Sequence, residues 1–257
     1  MTITLIISIM VFLILLSSLL YFIITQIKHG GDVFNKNSEN FEKKYNNMEI
    51  VEKIHNNLFN NFEKTTEMSE RIGIINNLKP NDVVLEIGGN IGGVSEVIAS
   101  ILKNPKNLVV VEPNKKGCEY LQKLMEKNNK IINIFNGVIY DGINKLECEQ
   151  PASESGYCDC KPNQNSSTIN KTFLEIENMF KLQFNVLVID CEGCYENIFN
   201  YLENKDILKR IDKIFIEWDG KFQENFLEKN NFILVDYIQH PNLDNGVRTY
   251  INKNTKL

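Results

Sequence analysis

Val83-Val84-Leu85-Glu86-Ile87-Gly88-Gly89-Asn90-Ile91-Gly92-Gly93 is an apolar run carrying one acid that breaks into a glycine-rich turn; a helix-like stretch, Val94 to Leu102, follows. Short continuous apolar runs are how buried parallel strands read, and glycine lets backbone pass close to a ligand. A strand, a glycine turn and a helix N-terminus in that order make a site for a nucleotide-like ligand.

Strand and helix signals alternate downstream of this stretch. The pattern predicts strands over 83–87, 108–112, 131–135, 186–190 and 213–217, with helices over 92–102, 116–127, 195–202 and 223–229. The end differs, because runs 232–238 and 247–251 flank Asp244-Asn245-Gly246 and read as an antiparallel hairpin. Parallel βα units closed by a reversed strand predict an α/β fold: a doubly wound, mostly parallel seven-stranded sheet with an antiparallel last strand. Residues 140–172 interrupt the alternation as a long loop insert, of the kind that is functional or disordered.

The chain is 257 residues long, enough for one such domain and an appendage. From Thr2 to Ile27 there is no charged residue, and a helix of that length spans roughly 39 Å against about 30 Å of bilayer hydrocarbon. Residues 1–27 read as one transmembrane helix, since a cleaved signal peptide wants a basic start and a shorter core. Residues 28–47 form a polar linker and 48–257 the folded domain, of which 48–78 is helical, with Ile50, Ile54, Leu58, Phe62, Ile72, Ile75 and Leu78 at helical spacing. Lys28, Lys36, Lys43 and Lys44 follow the span and no basic residue precedes it, which favours a cytosolic domain on a single-pass membrane protein. The sequons Asn165-Ser166-Ser167 and Asn170-Lys171-Thr172 keep the lumenal side open. A net charge of −5 with interspersed charges argues against a nucleic-acid partner and leaves a small polar molecule or glycan as acceptor.

Two ligand templates compete for the first turn. A dinucleotide turn wants Gly-x-Gly-x-x-Gly, and Gly88, Asn90 and Gly93 supply only two of its glycines. An acid two residues ahead of Gly-x-x-x-Gly, the pattern of enzymes using S-adenosyl-L-methionine, is met by Glu86, Gly88 and Gly92. A carboxylate there favours a cation bearing an ammonium and a sulfonium over a pyrophosphate. Glu112, in Val111-Glu112-Pro113-Asn114, stands where ribose hydroxyls are bound and serves either ligand. Asp190 and Glu192 end the fourth strand, and Glu217 and Asp219 the fifth, so their carboxylates are candidates to orient an acceptor, take its proton or hold a cation. Asp190 is the first choice of base, with Glu192 or Glu217 next, and His240 stands near the same end.

Leu85-Glu86-Ile87-Gly88-Gly89-Asn90-Ile91-Gly92, Val111-Glu112-Pro113-Asn114 and Ile189-Asp190-Cys191-Glu192-Gly193 together resemble the FkbM-type S-adenosylmethionine-dependent methyltransferases, with Thr172-Phe173-Leu174-Glu175 in the place of a further family segment. The resemblance covers roughly residues 82 to 219 and implies the Rossmann-like class I methyltransferase fold. It implies O-methylation of a hydroxyl on a sugar or other small polar acceptor, with Glu86, Gly88, Gly89, Asn90, Gly92, Glu112, Pro113 and Asn114 around the cofactor. Tyr195 departs from the family's pattern, which often has an acid there. The alternatives are an NAD-dependent oxidoreductase and a non-catalytic anchored binding module. The six cysteines do not suggest a disulfide-built scaffold; free thiols are the expectation, with zinc or disulfides at Cys148, Cys158 and Cys160 as alternatives and no metal assigned.

Overall fold

The computed structural model describes residues 68–153, 158–191, 194–218, 224–239 and 246–255. The expected anchor and linker, residues 48–67 of the expected helical part, and Glu192, Gly193, Asp219 and His240 lie outside the described residues. Among the described residues no helix is long and apolar enough to cross a membrane.

In chain order the elements are α1 (Met68–Asn77), β1 (Val84–Ile87), α2 (Gly93–Ile101), β2 (Leu108–Glu112), α3 (Lys115–Lys127) and β3 (Asn133–Asn136). The 140–172 region and its borders hold β4 (Val138–Ile139), β5 (Leu146–Cys148), β6 (Cys160–Pro162) and β7 (Asn170–Lys171). Then come α4 (Phe173–Phe180), β8 (Val186–Ile189), α5 (Tyr195–Asn204), β9 (Lys213–Trp218), α6 (Glu224–Lys229), β10 (Phe232–Gln239) and β11 (Gly246–Asn252).

The main sheet runs β3-β2-β1-β8-β9-β11-β10. β1 pairs in parallel with β2 and β8, β2 with β3, and β8 with β9, while β11 is antiparallel to both its neighbours. The seven-stranded, mostly parallel sheet with a reversed last strand is therefore present, and β11 inserts between β9 and β10. β1, β2 and β8 are buried along their whole length, which is why they read as unbroken apolar runs. Leu85, Val109, Leu187 and Ile214 are fully covered, and each such side chain contributes about 1.5–3 kcal/mol by burial. The third strand begins two residues later than expected, because Ile131 is 67% exposed and β3 is an edge strand.

α1 packs against α2 and across β9, β10 and β11. The expected stripe is only half realised: Ile72 and Leu78 are buried and Ile75 is not, while Ser69, Glu70 and Arg71 go inside with Ile74. The helix is clamped on more than one side, so its polar residues enter the protein as well.

The insert is folded rather than a structureless loop. β5 and β6 pair antiparallel with Cys148 opposite Cys160, β4 pairs with β7, and α4 starts at a capping box in which Thr172 and Glu175 bind each other's backbone N–H. Cys148 and Cys160 form a disulfide, as do Cys191 and Cys194, so the free-thiol expectation is corrected for these four. The zinc alternative falls with it, since a disulfide sulfur has no thiolate to give a metal. Cys118 and Cys158 remain as thiols.

One pH-sensitive position arises here. Glu96 is buried in the first turn of α2, and burial pushes its carboxyl from 4.5 to about 7, although Arg71, Lys127 and a hydrogen bond from Asn128 pull the other way. An acid raised in the folded state contributes stability that is complete below the unfolded value of 4.5 and is lost as pH rises through about 7. Glu96→Gln should remove that loss and gain about 1–2 kcal/mol on the native protein above pH 7, the two cations moderating the full linkage value. Denaturant midpoints between pH 4 and pH 8 check it, and parallel curves for the two proteins would refute it.

Candidate functional site

The strand order reverses between β1 and β8, and open α/β sheets bind ligands beyond the carboxyl ends of strands at such a point. A cleft of about 940 Å³ opens there, within the size range of cofactor sites. Its floor is Ile87, Gly88 and Asn90 from the first turn and Glu112 and Pro113 from the end of β2; Asp190, Cys191 and Cys194 follow β8, and the insert supplies the facing wall.

The first turn is held by its own backbone. Gly88 and Gly89 donate their N–H groups to Val111 O at 3.0 and 3.4 Å, Gly92 donates to Gly89 O at 2.8 Å, and Asn90 donates to Glu112 Oε2 at 2.7 Å. Gly88 has φ +91°, and a Cβ on it would lie 1.6 Å from Asp190 O, so only glycine fits between β1 and β8. Gly92, at φ +92°, starts α2. Asn90 is also left-handed at φ +44°, and its Oδ1 is buried with no hydrogen-bond partner among the described residues.

Glu112 links the turn to the second strand end. Its Oε1 accepts from Asn114 N at 2.6 Å and its Oε2 from Asn90 N. Burial raises its carboxyl, and these two backbone bonds oppose the rise. Each carboxylate oxygen keeps a further lone pair, so Glu112 can still accept hydroxyl hydrogens from a ligand in the cleft.

Not every expected residue reaches the cleft. Glu86 is 1% exposed, accepts from Ser95 Oγ at 2.7 Å, and lines a separate cavity of about 10 Å³ with Glu70, Gly89 and Asp190, beneath Gly88 and Asn90. Glu86 therefore faces the small cavity and not the larger cleft. Asn114, expected around the cofactor, is not among the cleft-lining residues: its Oδ1 caps α3 by accepting from Lys116 N and Gly117 N, and its Nδ2 donates to Ser153 O. Gly89 and Gly92 shape the turn without lining the larger cleft.

Among the expected catalytic acids, Asp190 is on the cleft wall. Glu217 does not line it, but its carboxylate, that of Asp190 and that of Glu70 from α1 lie within 4.8 Å of one another. Glu70 was not among the expected site residues; its only sequence signal was an acid inside a helix pattern. A trio of acids alone does not define a metal centre. Burial pushes the two remaining thiols up, Cys118 to about 12 and Cys158 to about 11, in each case with Glu112 adding to the rise.

No family model matches the sequence, and no curated protein matches it. Among solved structures the chain is similar to an rRNA methylase from Streptococcus thermophilus at 8% identity, covering 71% of this chain and 93% of that one with a TM-score of 0.44. It is similar to a precorrin-6y C5,15-methyltransferase from Geobacter metallireducens at 12% identity, covering 71% and 88%, with a TM-score of 0.43. A magnesium protoporphyrin IX methyltransferase from Synechocystis, crystallised with its methyl donor, matches at 8% identity, covering 77% and 89%, with a TM-score of 0.44. At these identities the likeness concerns the outline of the fold and leaves the chemistry to the site.

Proposed function

We propose that the protein is an S-adenosylmethionine-dependent methyltransferase acting on a hydroxyl of a small, polar, non-anionic acceptor such as a sugar or glycan. One observation supports this most strongly: the N–H groups of Gly88, Gly89, Asn90 and Gly92 are consumed inside the protein, and the same turn meets the cleft beside the Glu112 carboxylate. A pyrophosphate lying against this turn would need the N–H groups that these bonds already occupy. That disfavours the NAD reading and suits a ligand with ribose hydroxyls and a cationic centre. The fit extends to the buried Oδ1 of Asn90, an acceptor with no hydrogen-bond partner among the described residues.

The described wall also carries Asp141, Asp159 and Asp190 and no Lys or Arg, which speaks against an RNA or phosphorylated acceptor. The sugar-type assignment rests on the resemblance of the Gly-x-Asn-x-Gly, Glu-Pro-Asn and Asp-x-Glu-Gly motifs to the FkbM-type enzymes.

When bound, S-adenosylmethionine supplies an electrophilic sulfonium methyl. Glu112 would receive ribose hydroxyls, and Asn90 Oδ1 a donor of the same ligand. Asp190 orients the acceptor hydroxyl and takes its proton late, because a carboxylate is a weak base toward an alcohol. Most of the rate would come from the cleft holding the acceptor hydroxyl in position, with the insert as its facing wall.

Titrating the full-length chain in detergent with S-adenosylmethionine, S-adenosylhomocysteine and NAD tests the reading. The first two should bind saturably and NAD should not. Glu112→Ala should weaken binding about 10- to 100-fold, the loss of charge-assisted hydrogen bonds. Asp190→Ala should keep binding and lower turnover by about 10²- to 10⁴-fold. Saturation by NAD alone would overturn the proposal, and binding of none of the three would leave a non-catalytic module. Full turnover in Asp190→Ala would discard the base assignment.

A further inference from the structure

We infer that this domain works in an oxidising, extracytoplasmic compartment and that Asn165, but not Asn170, carries an N-linked oligosaccharide. The inference is independent of the methyl-transfer reading. Its first support is Cys148–Cys160, a disulfide between directly opposed residues of the β5–β6 pair. This pairing is structural: it closes a hairpin and lacks the Cys-x-x-Cys spacing of cytosolic redox sites. Structural disulfides persist where thiols are not kept reduced, and rarely elsewhere. Cys191–Cys194 has the ambiguous spacing and weighs less, but it adds a second bond of the same kind. The chemistry of these pairs outweighs the bias of Lys28, Lys36, Lys43 and Lys44, which is a statistical tendency of short flanking segments.

In that compartment an Asn receives the oligosaccharide where the transferase can reach its carboxamide, so the folded insert discriminates between its two sequons. The two sequons of the insert differ sharply. Asn165 is exposed; its backbone N–H donates to Asn163 Oδ1, and its carboxamide makes no hydrogen bond among the described residues. Asn170 is committed: its Oδ1 accepts from Leu146 N at 2.7 Å, and its Nδ2 donates to Thr168 O at 2.8 Å, Leu146 O at 2.9 Å and Ser166 Oγ at 3.3 Å. A sugar on that nitrogen would replace one of its two hydrogens and force itself between β5 and the strand that follows the hairpin. Asn165 is exposed, so a sugar there breaks no hydrogen bond of its carboxamide among the described residues.

The group transferred comes from a lipid pyrophosphate-linked oligosaccharide. Asn165 Nδ2 forms a bond to C1 of the first sugar, the C1–O bond to the pyrophosphate breaks, the lipid pyrophosphate leaves with the electron pair, and the amide proton passes to the transferase. No oxidant or reductant is needed for that step.

The test uses the full-length chain, with its own N-terminal segment, made in eukaryotic cells. Treatment with a glycan-removing amidase should shift the mobility of the native protein and of Asn170→Gln, and leave Asp at position 165 in the native protein. Asn165→Gln and Ser167→Ala should show no shift. Ser167→Ala removes the sequon and keeps Asn165, so it separates the modification from any role of that side chain. Alkylation of the denatured, unreduced protein should label two cysteines of six, Cys118 and Cys158. A native protein with no shift, six labelled cysteines, or a glycan that stays in Asn165→Gln would each overturn the proposal.

Discussion

Gly88→Ala is expected to cost about 3–5 kcal/mol of stability and to weaken binding of the methyl donor by at least 100-fold. Two effects add. At φ +91° a side chain is strained by about 1–3 kcal/mol, and its Cβ would stand 1.6 Å from Asp190 O, a backbone atom that cannot rotate away. Asp190 N donates to Ile87 O and Gly88 N to Val111 O, both at 3.0 Å, so relief requires β1 to part from β8 or β2. The same movement displaces Asp190 and the Glu112–Asn90 bond. Gly92→Ala is the comparison, because at a similar φ of +92° its Cβ would meet Leu121 Cδ1, the end of a side chain that can turn. About 2 kcal/mol and a severalfold change in affinity are expected there. Denaturant titration and calorimetry on both variants decide the matter. Equal losses at the two positions would show that the close approach of β8 to the turn is not what holds the site.

The contrast between those glycines explains what was legible in the sequence. The meeting of Gly88, Asn90 and Glu112 at one end of the sheet was legible because their neighbours are close in the chain or fixed by strand register: Glu112 falls 22 residues after Asn90 and binds its N–H. That of Glu70 with Asp190 and Glu217 was not, because it depends on how α1 crosses the sheet. Asn114 has a local part that its position also announces: an Asn before Lys115–Lys127 is an N-cap by the usual preference, and its side chain caps that helix.

The cysteines were harder. Their pairing follows from the register of β5 with β6, and that hairpin lies in a stretch whose Ser, Asn, Pro and Gly content carries the signature of a loop. The reversed strand was legible as a hairpin through Asp244-Asn245-Gly246, but its insertion between β9 and β10 is a long-range pairing with no local signal.

Asp82→Ala is expected to lose about 3–5 kcal/mol while leaving cofactor affinity per folded molecule unchanged. Lys79-Pro80-Asn81-Asp82 announces the end of a helix and the start of β1, and Asp82 Oδ2 does accept from Lys79 N at 2.8 Å. Its second partner is Lys213 Nζ at 2.6 Å, with side chains only 8% and 3% exposed. The two belong to the starts of β1 and β9, and β8 lies between those strands, so the pair ties three strands at the end of the sheet opposite the cleft. Removing the carboxylate leaves a buried ammonium without its charge partner, which costs more than the pair contributes when intact. Adding Lys213→Met to Asp82→Ala should therefore recover most of the loss, since the ammonium is replaced by an apolar group of similar length. If the double variant is no more stable than Asp82→Ala, the loss comes from the freed Lys79 N–H instead. If affinity falls along with stability, the two ends of the sheet are coupled, and the division between a stabilising lower end and a ligand-binding upper end fails for this protein.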